Sequence, residues 1–258
     1  MNRVDNYEQR FGGIARLYTA EGLARLRHAH ICVIGIGGVG SWVVEALARS
    51  GVGKLTLIDM DDICVTNINR QLPALSSTIG KLKTDVMAER VKAINPECRI
   101  NIIDDFITPD NQADYLTTEY DYVIDAIDHV RTKAALIAYC KRRKINVITI
   151  GGAGGQTDPT QIQIADLSRT IQDPLLAKVR SVLRKDFHFT QNPQRKFAVE
   201  AVFSQQPVIF PQMLANCTVS ATMNCANGFG AVTMVTATFG FFAVSRVIDK
   251  LLKQRRMT

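Results

Sequence analysis

No two of the six cysteines stand close enough to form a C-x-x-C pair; Cys217 and Cys225, eight apart, come nearest. Cys32, Cys64, Cys98 and Cys140 are spread more widely still. That spacing argues against a disulfide framework and against a four-cysteine zinc site, and a reducing cytoplasm is the compartment to expect. Histidine is scarce as well. His28 and His30 form an H-x-H with alternate side chains on one face, but the sequence offers no third ligand nearby, so a metal site is not expected there. Residues 1 to 29 lack the apolar run of a signal peptide. A P-loop is also missing: "GVGKLT" matches its tail, but Ala48 stands where the first glycine is required. No charged side chain occurs between 201 and 245, and Ala226 to Ser245 is long enough for a membrane span. Asn227, Gly228, Gly230, Gly240 and three threonines make that stretch only moderately apolar, so a helix buried against a sheet is the expectation. There is no repeat, no low-complexity tract and no obvious linker.

What is present describes an ordinary globular chain: 258 residues, 47% hydrophobic and 21% charged, with a formal net charge of +7. The positive balance favours an anionic partner such as nucleic acid. "HICVIGI" reads as a buried parallel strand, and "KLTLID", "CRINIID", "DYVIDAI" and "INVITI" read as further strands. "VGSWVVEALARS", "GKLKTDVMAERVKAINP" and "VRTKAALIAYCKRR" read as helices between them. This alternation predicts an α/β, Rossmann-like, doubly wound and mostly parallel sheet. We expect one domain over 1–258. Residues 1–29 form a polar arm and a helix N-capped by Thr19, 30–165 the nucleotide-binding core, and 166–258 an elaboration with further strands and a final helix. The basic runs 141–144 and 184–196 read as solvated faces, although His188, Phe187 and Phe189 in the second could stack on bases.

The chemistry is concentrated between residues 31 and 128. Gly35, Gly37 and Gly40, with Gly38 between them, form a G-x-G-x-x-G after a strand and before a helix, and Asp59 comes 19 residues after Gly40. Such a loop brings backbone close to phosphate at a helix N-terminus, and a strand-end carboxylate can accept both hydroxyls of a ribose. An NAD-dependent oxidoreductase would need no more than this. Asp61, Asn67, Arg70, Lys83 and Asp128 suit a triphosphate better. Taken singly, each has a plain structural role open to it: Arg70 and Lys83 as surface cations, Asp128 as a helix N-cap.

As an ordered set, "GIGGVGS", "LIDMDDICVTNINRQ", "GKLK" and "VIDAID" resemble the ubiquitin-activating-enzyme superfamily. "RFGGIARLY", "GGAGGQTDPTQIQIADLSRTIQDPL" and "GFGAVTMVTATFGF" extend the resemblance to its tRNA threonylcarbamoyladenosine dehydratase family, over nearly the whole chain. The resemblance implies an ATP-dependent, tRNA-modifying enzyme working as a homodimer. Its glycine loop, Asp59, Asp61, Asn67, Arg70 and Lys83 would surround ATP, and Asp128 would hold Mg2+. The substrate would be tRNA carrying threonylcarbamoyladenosine, adenylated on its carboxylate and closed to a ring with release of AMP. Cys225 matches a cysteine that takes over an activated group or sulfur, which implies a cysteine desulfurase as partner. Adenylation of a ubiquitin-like sulfur carrier is the alternative within the superfamily. One departure stands out: Gly13 occupies the place of an arginine that reaches the partner subunit's ATP, leaving Arg10 or Arg16 to substitute.

Overall fold

The computed structural model describes residues 6–210 and 229–253. In chain order the elements are α1 (Tyr7–His28), β1 (His30–Ile34), α2 (Gly40–Arg49), β2 (Lys54–Ile58), α3 (Lys83–Ile94), β3 (Arg99–Ile103), a short α4 (Gln112–Tyr115), β4 (Tyr122–Asp125), α5 (Val130–Arg143), β5 (Val147–Ile150), β6 (Ile162–Asp166), α6 (Pro174–Asp186), β7 (Glu200–Ser204) and α7 (Thr233–Lys253). The seven strands form one sheet in the order β3-β2-β1-β4-β5-β7-β6. Every pair is parallel except β6 with β7, which is antiparallel.

The central strands have no polar face because helices cover both sides of the sheet. In β1 every residue is buried. Ile31 and Val33 face one core, packed against α2, α3 and α7, while Cys32 and Ile34 face the other, against α5 and α6. A parallel strand covered on both sides reads as a continuous apolar run rather than an alternating one. α7 lies directly over α2. A Cβ on Gly240 would come within 3.1 Å of the Trp42 Cβ and the Val39 carbonyl oxygen, so any larger residue would crowd this helix crossing. Asp173 caps α6 by accepting from the Leu176 amide at 2.9 Å, with Pro174 at the first helical position.

Two expectations need correction. The residues before Thr19 are helical from Tyr7 onward, not an arm. Tyr7 and Phe11 bury against Leu23, and the Tyr7 hydroxyl donates to the Gly51 carbonyl; this apolar anchor orders the segment. Thr19 does cap the second part of the helix, since its Oγ1 accepts from the Gly22 amide at 3.2 Å where the helix breaks at φ 71°. The final helix begins at Thr233 rather than near 226. From there its buried face is as expected, with Val235, Phe239, Ala243 and Val247 in the core. Among the described residues, no helix is long and apolar enough to cross a membrane.

Candidate active site

The strand order turns back on itself between β1 and β4, the place where open α/β sheets leave a crevice at the carboxyl ends of their strands. The loops leaving β1, β2 and β4 all open there. Gly35 has φ +84°, and a Cβ on it would press against the Ala126 carbonyl after β4 at 3.1 Å; a Cβ on Gly40 would overlap the Gly35 oxygen at 1.7 Å. Those two glycines make the turn possible. At Gly37 and Gly38 a Cβ would meet nothing closer than 3.5 Å, so these two leave the loop's outer surface open just before α2, where a helix N-terminus favours an anion.

Asp59 holds this loop in place. Its Oδ2 accepts from the Ile36 amide at 2.6 Å and its Oδ1 from the Asp61 amide at 2.8 Å. Burial pushes its carboxyl above the usual range, and the nearby Lys83 charge opposes that rise. Lys83, the first residue of α3, is held at both ends: its amide donates to the Asp61 carbonyl at 3.1 Å, and its Nζ reaches Asp61 Oδ2 at 2.6 Å. The lysine side chain is 7% exposed, whereas that of Asp61 is 50% exposed. The result is a cation held near the crevice by a carboxylate that remains open to solvent.

Asn67 is buried, and its Oδ1 accepts from the Cys64 amide at 3.0 Å, which fixes the short 3-10 turn Val65–Asn67. Arg70 lies just past this turn. Its aliphatic stem lies about 3.5 Å from where a Gly38 Cβ would be, and its Nη1 donates to the Thr66 carbonyl at 2.7 Å. The Arg70 backbone is held from the other side, because Trp42 Nε1 donates to its carbonyl at 3.1 Å and Thr233 Oγ1 at the start of α7 donates to the Asn69 carbonyl at 2.7 Å. The glycine loop, Asp59, Asp61, Asn67, Arg70 and Lys83 are therefore linked by contacts, and exposed Asp128 comes three residues after the end of β4.

Sequence reasoning missed two features. Lys133, on α5, is fully buried and lies 3.0 Å from Asp125 Oδ1, also fully buried. Thr149 Oγ1 donates to the other Asp125 oxygen at 2.7 Å, the Ile127 amide donates to Oδ1 at 3.2 Å, and Lys133 Nζ donates to the Ile127 carbonyl at 2.8 Å. Burial raises the Asp125 carboxyl, against the pull of Lys133. This cluster fixes the backbone just before Asp128. A signal was present: Lys133 and Ile137 are one helical turn apart, which puts a cation on the apolar stripe. Gln71 is the second omission. It is 7% exposed, its Nε2 faces Gly37, and its Oε1 has no hydrogen-bond partner.

Other sequence candidates lie elsewhere. His30 is buried and bonds Thr56 through Nε2 at 2.9 Å, and among the described residues no His, Cys, Asp and Glu cluster could hold a metal ion by itself. Arg10 donates to the Ile94 carbonyl at 3.1 Å at the end of α3. Cys217 and Cys225 lie outside the described residues. The chain is tied on both sides of that stretch to the glycine turn after β5: the Ile209 amide donates to the Gly155 carbonyl, and the Gly155 amide to the Gly230 carbonyl, both at 2.7 Å.

A doubly wound sheet with a glycine loop, a strand-end carboxylate and the cations Arg70 and Lys83 near its switch point is the frame of a nucleotide-binding enzyme. The ThiF family model matches residues 12–257, and the chain belongs to the ThiF family. It is 82% identical over 255 residues to the tRNA threonylcarbamoyladenosine dehydratase of Haemophilus influenzae, covering 99% of this chain and 98% of that protein. The crystal structure of Escherichia coli tRNA N6-threonylcarbamoyladenosine dehydratase in complex with ATP aligns at a TM-score of 0.88 with 56% identity, covering 98% of this chain and 97% of that one. The same protein in complex with AMP aligns equally well, with 98% of each chain covered.

Proposed function

We propose that this chain is an ATP-dependent tRNA threonylcarbamoyladenosine dehydratase. One observation carries the reading: the linked crevice of Gly35–Gly40, Asp59, Arg70 and Lys83 belongs to a chain 82% identical, nearly end to end, to a dehydratase of that name. The substrate's free carboxylate cannot expel oxide. Its attack on the α-phosphate of ATP makes an acyl-adenylate and releases pyrophosphate. Lys83 and Arg70 offset the charge that develops on the departing pyrophosphate, Asp59 accepts the ribose hydroxyls, and Asn67 holds the turn that presents Arg70. A nucleophilic atom of the ureido group then attacks the activated carbonyl and expels AMP, for a net loss of one water. Closing a ring within one molecule is worth on the order of 7 kcal/mol of barrier when well oriented. Asp128 fits Mg2+, which takes one or two carboxylates and completes its shell with phosphate oxygens and water; there it would screen the triphosphate.

Ring closure needs no protein nucleophile, so we assign Cys225 to sulfur acceptance from a cysteine desulfurase rather than to dehydration. The homodimer reading is supported by apolar side chains left in solvent, among them Val65, Ile68, Leu75 and Met234, between 46% and 62% exposed. With Arg10 engaged at the end of α3, exposed Arg16 is the arginine left to reach the partner's ATP. β6 and β7 share the sheet of the nucleotide-binding core, which supports one domain over the whole chain. The decisive experiment incubates the protein with ATP and tRNA carrying threonylcarbamoyladenosine, then measures nucleoside mass. ATP-dependent loss of one water is expected; adenylation of a carrier protein with the nucleoside unchanged would overturn the reading.

A further inference from the structure

The excess positive charge is not spread evenly. Residues 129–198 hold 13 Lys and Arg against four Asp and no Glu, a net +9 within a chain whose total is +7. This segment contains α5 and α6, which together cover one face of the sheet. On the other face several helix cations have carboxylate partners: Arg49 and Arg90 with Glu45, Arg25 with Glu21, and Arg246 with Glu200. On the α5–α6 side Lys133 is paired with Asp125, and that pair is wholly buried.

Several of the remaining cations there line a groove. Arg180, Ser181, Arg184, Lys185, His188 and Gln191 form its walls. Arg180 and Arg184 stand one helical turn apart, a like-charge spacing that costs a few tenths of a kcal/mol without an intervening anion. Burial, and then the Arg184 charge, hold Arg180 below the usual guanidinium range. Arg184 lies over the Phe197 ring at 5.2 Å, and its buried Nε has no hydrogen-bond partner. Helix-dipole complementarity explains cations in the last turns of α5 and α6. It does not explain Lys178 and Arg180, which sit mid-helix, or Arg195 and Lys196, which sit beyond the helix.

Both helices start at the crevice: α5 begins just past Asp128, and the α6 cap Asp173 accepts from the Gly152 amide at 3.0 Å. From there each runs about 20 Å along its own axis, away from the crevice and toward the other end of the strands. We propose that this groove and the neighbouring end of α5 bind the phosphate backbone of the tRNA stem while the modified base sits in the crevice. The inference rests on the dehydratase reading for the identity of the RNA. The arrangement separates positioning from chemistry, as phosphate contacts fix orientation without reading sequence.

The test uses the full chain with Arg142→Gln, Lys178→Gln and Lys185→Gln combined, all three removed from the ATP crevice. The expected result is a roughly 10- to 100-fold weaker tRNA affinity at moderate salt, with a log–log salt slope shallower by about two units, since each lost phosphate contact removes roughly 0.7–0.9. ATP affinity and the rate at saturating tRNA should be unchanged. Unchanged tRNA affinity and slope would overturn the proposal, as would loss of binding to anionic lipid vesicles with tRNA binding intact. Wild-type protein that binds tRNA through these residues but never dehydrates it would defeat the dehydratase reading and leave the groove standing.

Discussion

Lys83 and Lys133 hold related places on either side of the switch point. Each lies in the first turn of a helix that comes after a parallel strand, and each pairs with a carboxylate at or just beyond a strand end. Their surroundings separate them. Asp61 is half exposed, so Lys83 has a partner that water can replace and a charge that remains available to a ligand. Asp125 and Lys133 have no exposed surface at all, and the lysine ammonium bonds Asp125 and the backbone that leads to Asp128. One pair presents a charge; the other commits its charges to each other and to a loop.

Lys133→Ala should be the most damaging single change. It leaves a buried carboxylate uncompensated, which costs about 3–5 kcal/mol, readable as a shifted midpoint in urea unfolding. A companion variant, Lys133→Met with Asp125→Asn, should recover much of that loss because no buried charge remains. A single-variant cost below about 1 kcal/mol would erase the distinction between the pairs.

Lys83→Ala should show the opposite profile. Folding stability should fall by less than Lys133→Ala costs, because the half-exposed Asp61 keeps its charge hydrated when the lysine is removed. Pyrophosphate release with tRNA present should fall about 10²- to 10³-fold, the scale for removing one group that stabilises developing charge. A pyrophosphate assay alongside the urea curve separates the effects. An unfolded Lys83→Ala protein would mean that this pair, too, is structural.

The two lysines also mark how far the sequence can be read. The parallel core is legible because strands covered on both faces announce themselves as apolar runs, and the glycine loop because its backbone needs are strict. Lys83 stands out within "GKLK". Lys133 does not, because a lone lysine in "VRTKAALIAYC" looks like surface until its partner at the end of β4 is known, and that aspartate reads only as part of a strand. The insertion of β7 between β5 and β6 has no local cause in either strand; it depends on antiparallel pairing across a connection that includes the whole of α6. Tyr7 and Phe11 give no periodic signal strong enough to outweigh their polar neighbours. Cys225 lies outside the described residues.

The smallest effect tests Asp59, the carboxylate that Lys83 supports from the crevice side. Burial raises its folded-state carboxyl above the ordinary value, so between the two values the native state holds a proton that the unfolded chain has released. Stability from this group is then full below the ordinary carboxylate pKa and falls as pH rises through the raised one. The proposed ribose contact has the opposite slope, because it needs the ionised form: ATP affinity should drop as pH falls through the same raised value. Asp59→Asn removes both dependences. Because the amide nitrogen cannot accept one of the two backbone N–H groups that Asp59 holds, it should change Tm by only a few degrees at neutral pH, on a scale of about 2–4 °C per kcal/mol. It should also bind ATP more weakly and without a carboxylate step in its pH profile. In Lys83→Ala protein the favourable charge beside Asp59 is gone, so the pH at which ATP binding fails should move upward. Thermal melts and ATP titrations across the acid range would read both slopes. A midpoint for ATP binding that stays fixed when Lys83 is removed would show that the cation does not act on this carboxylate, and would reduce Lys83 to its contact with Asp61.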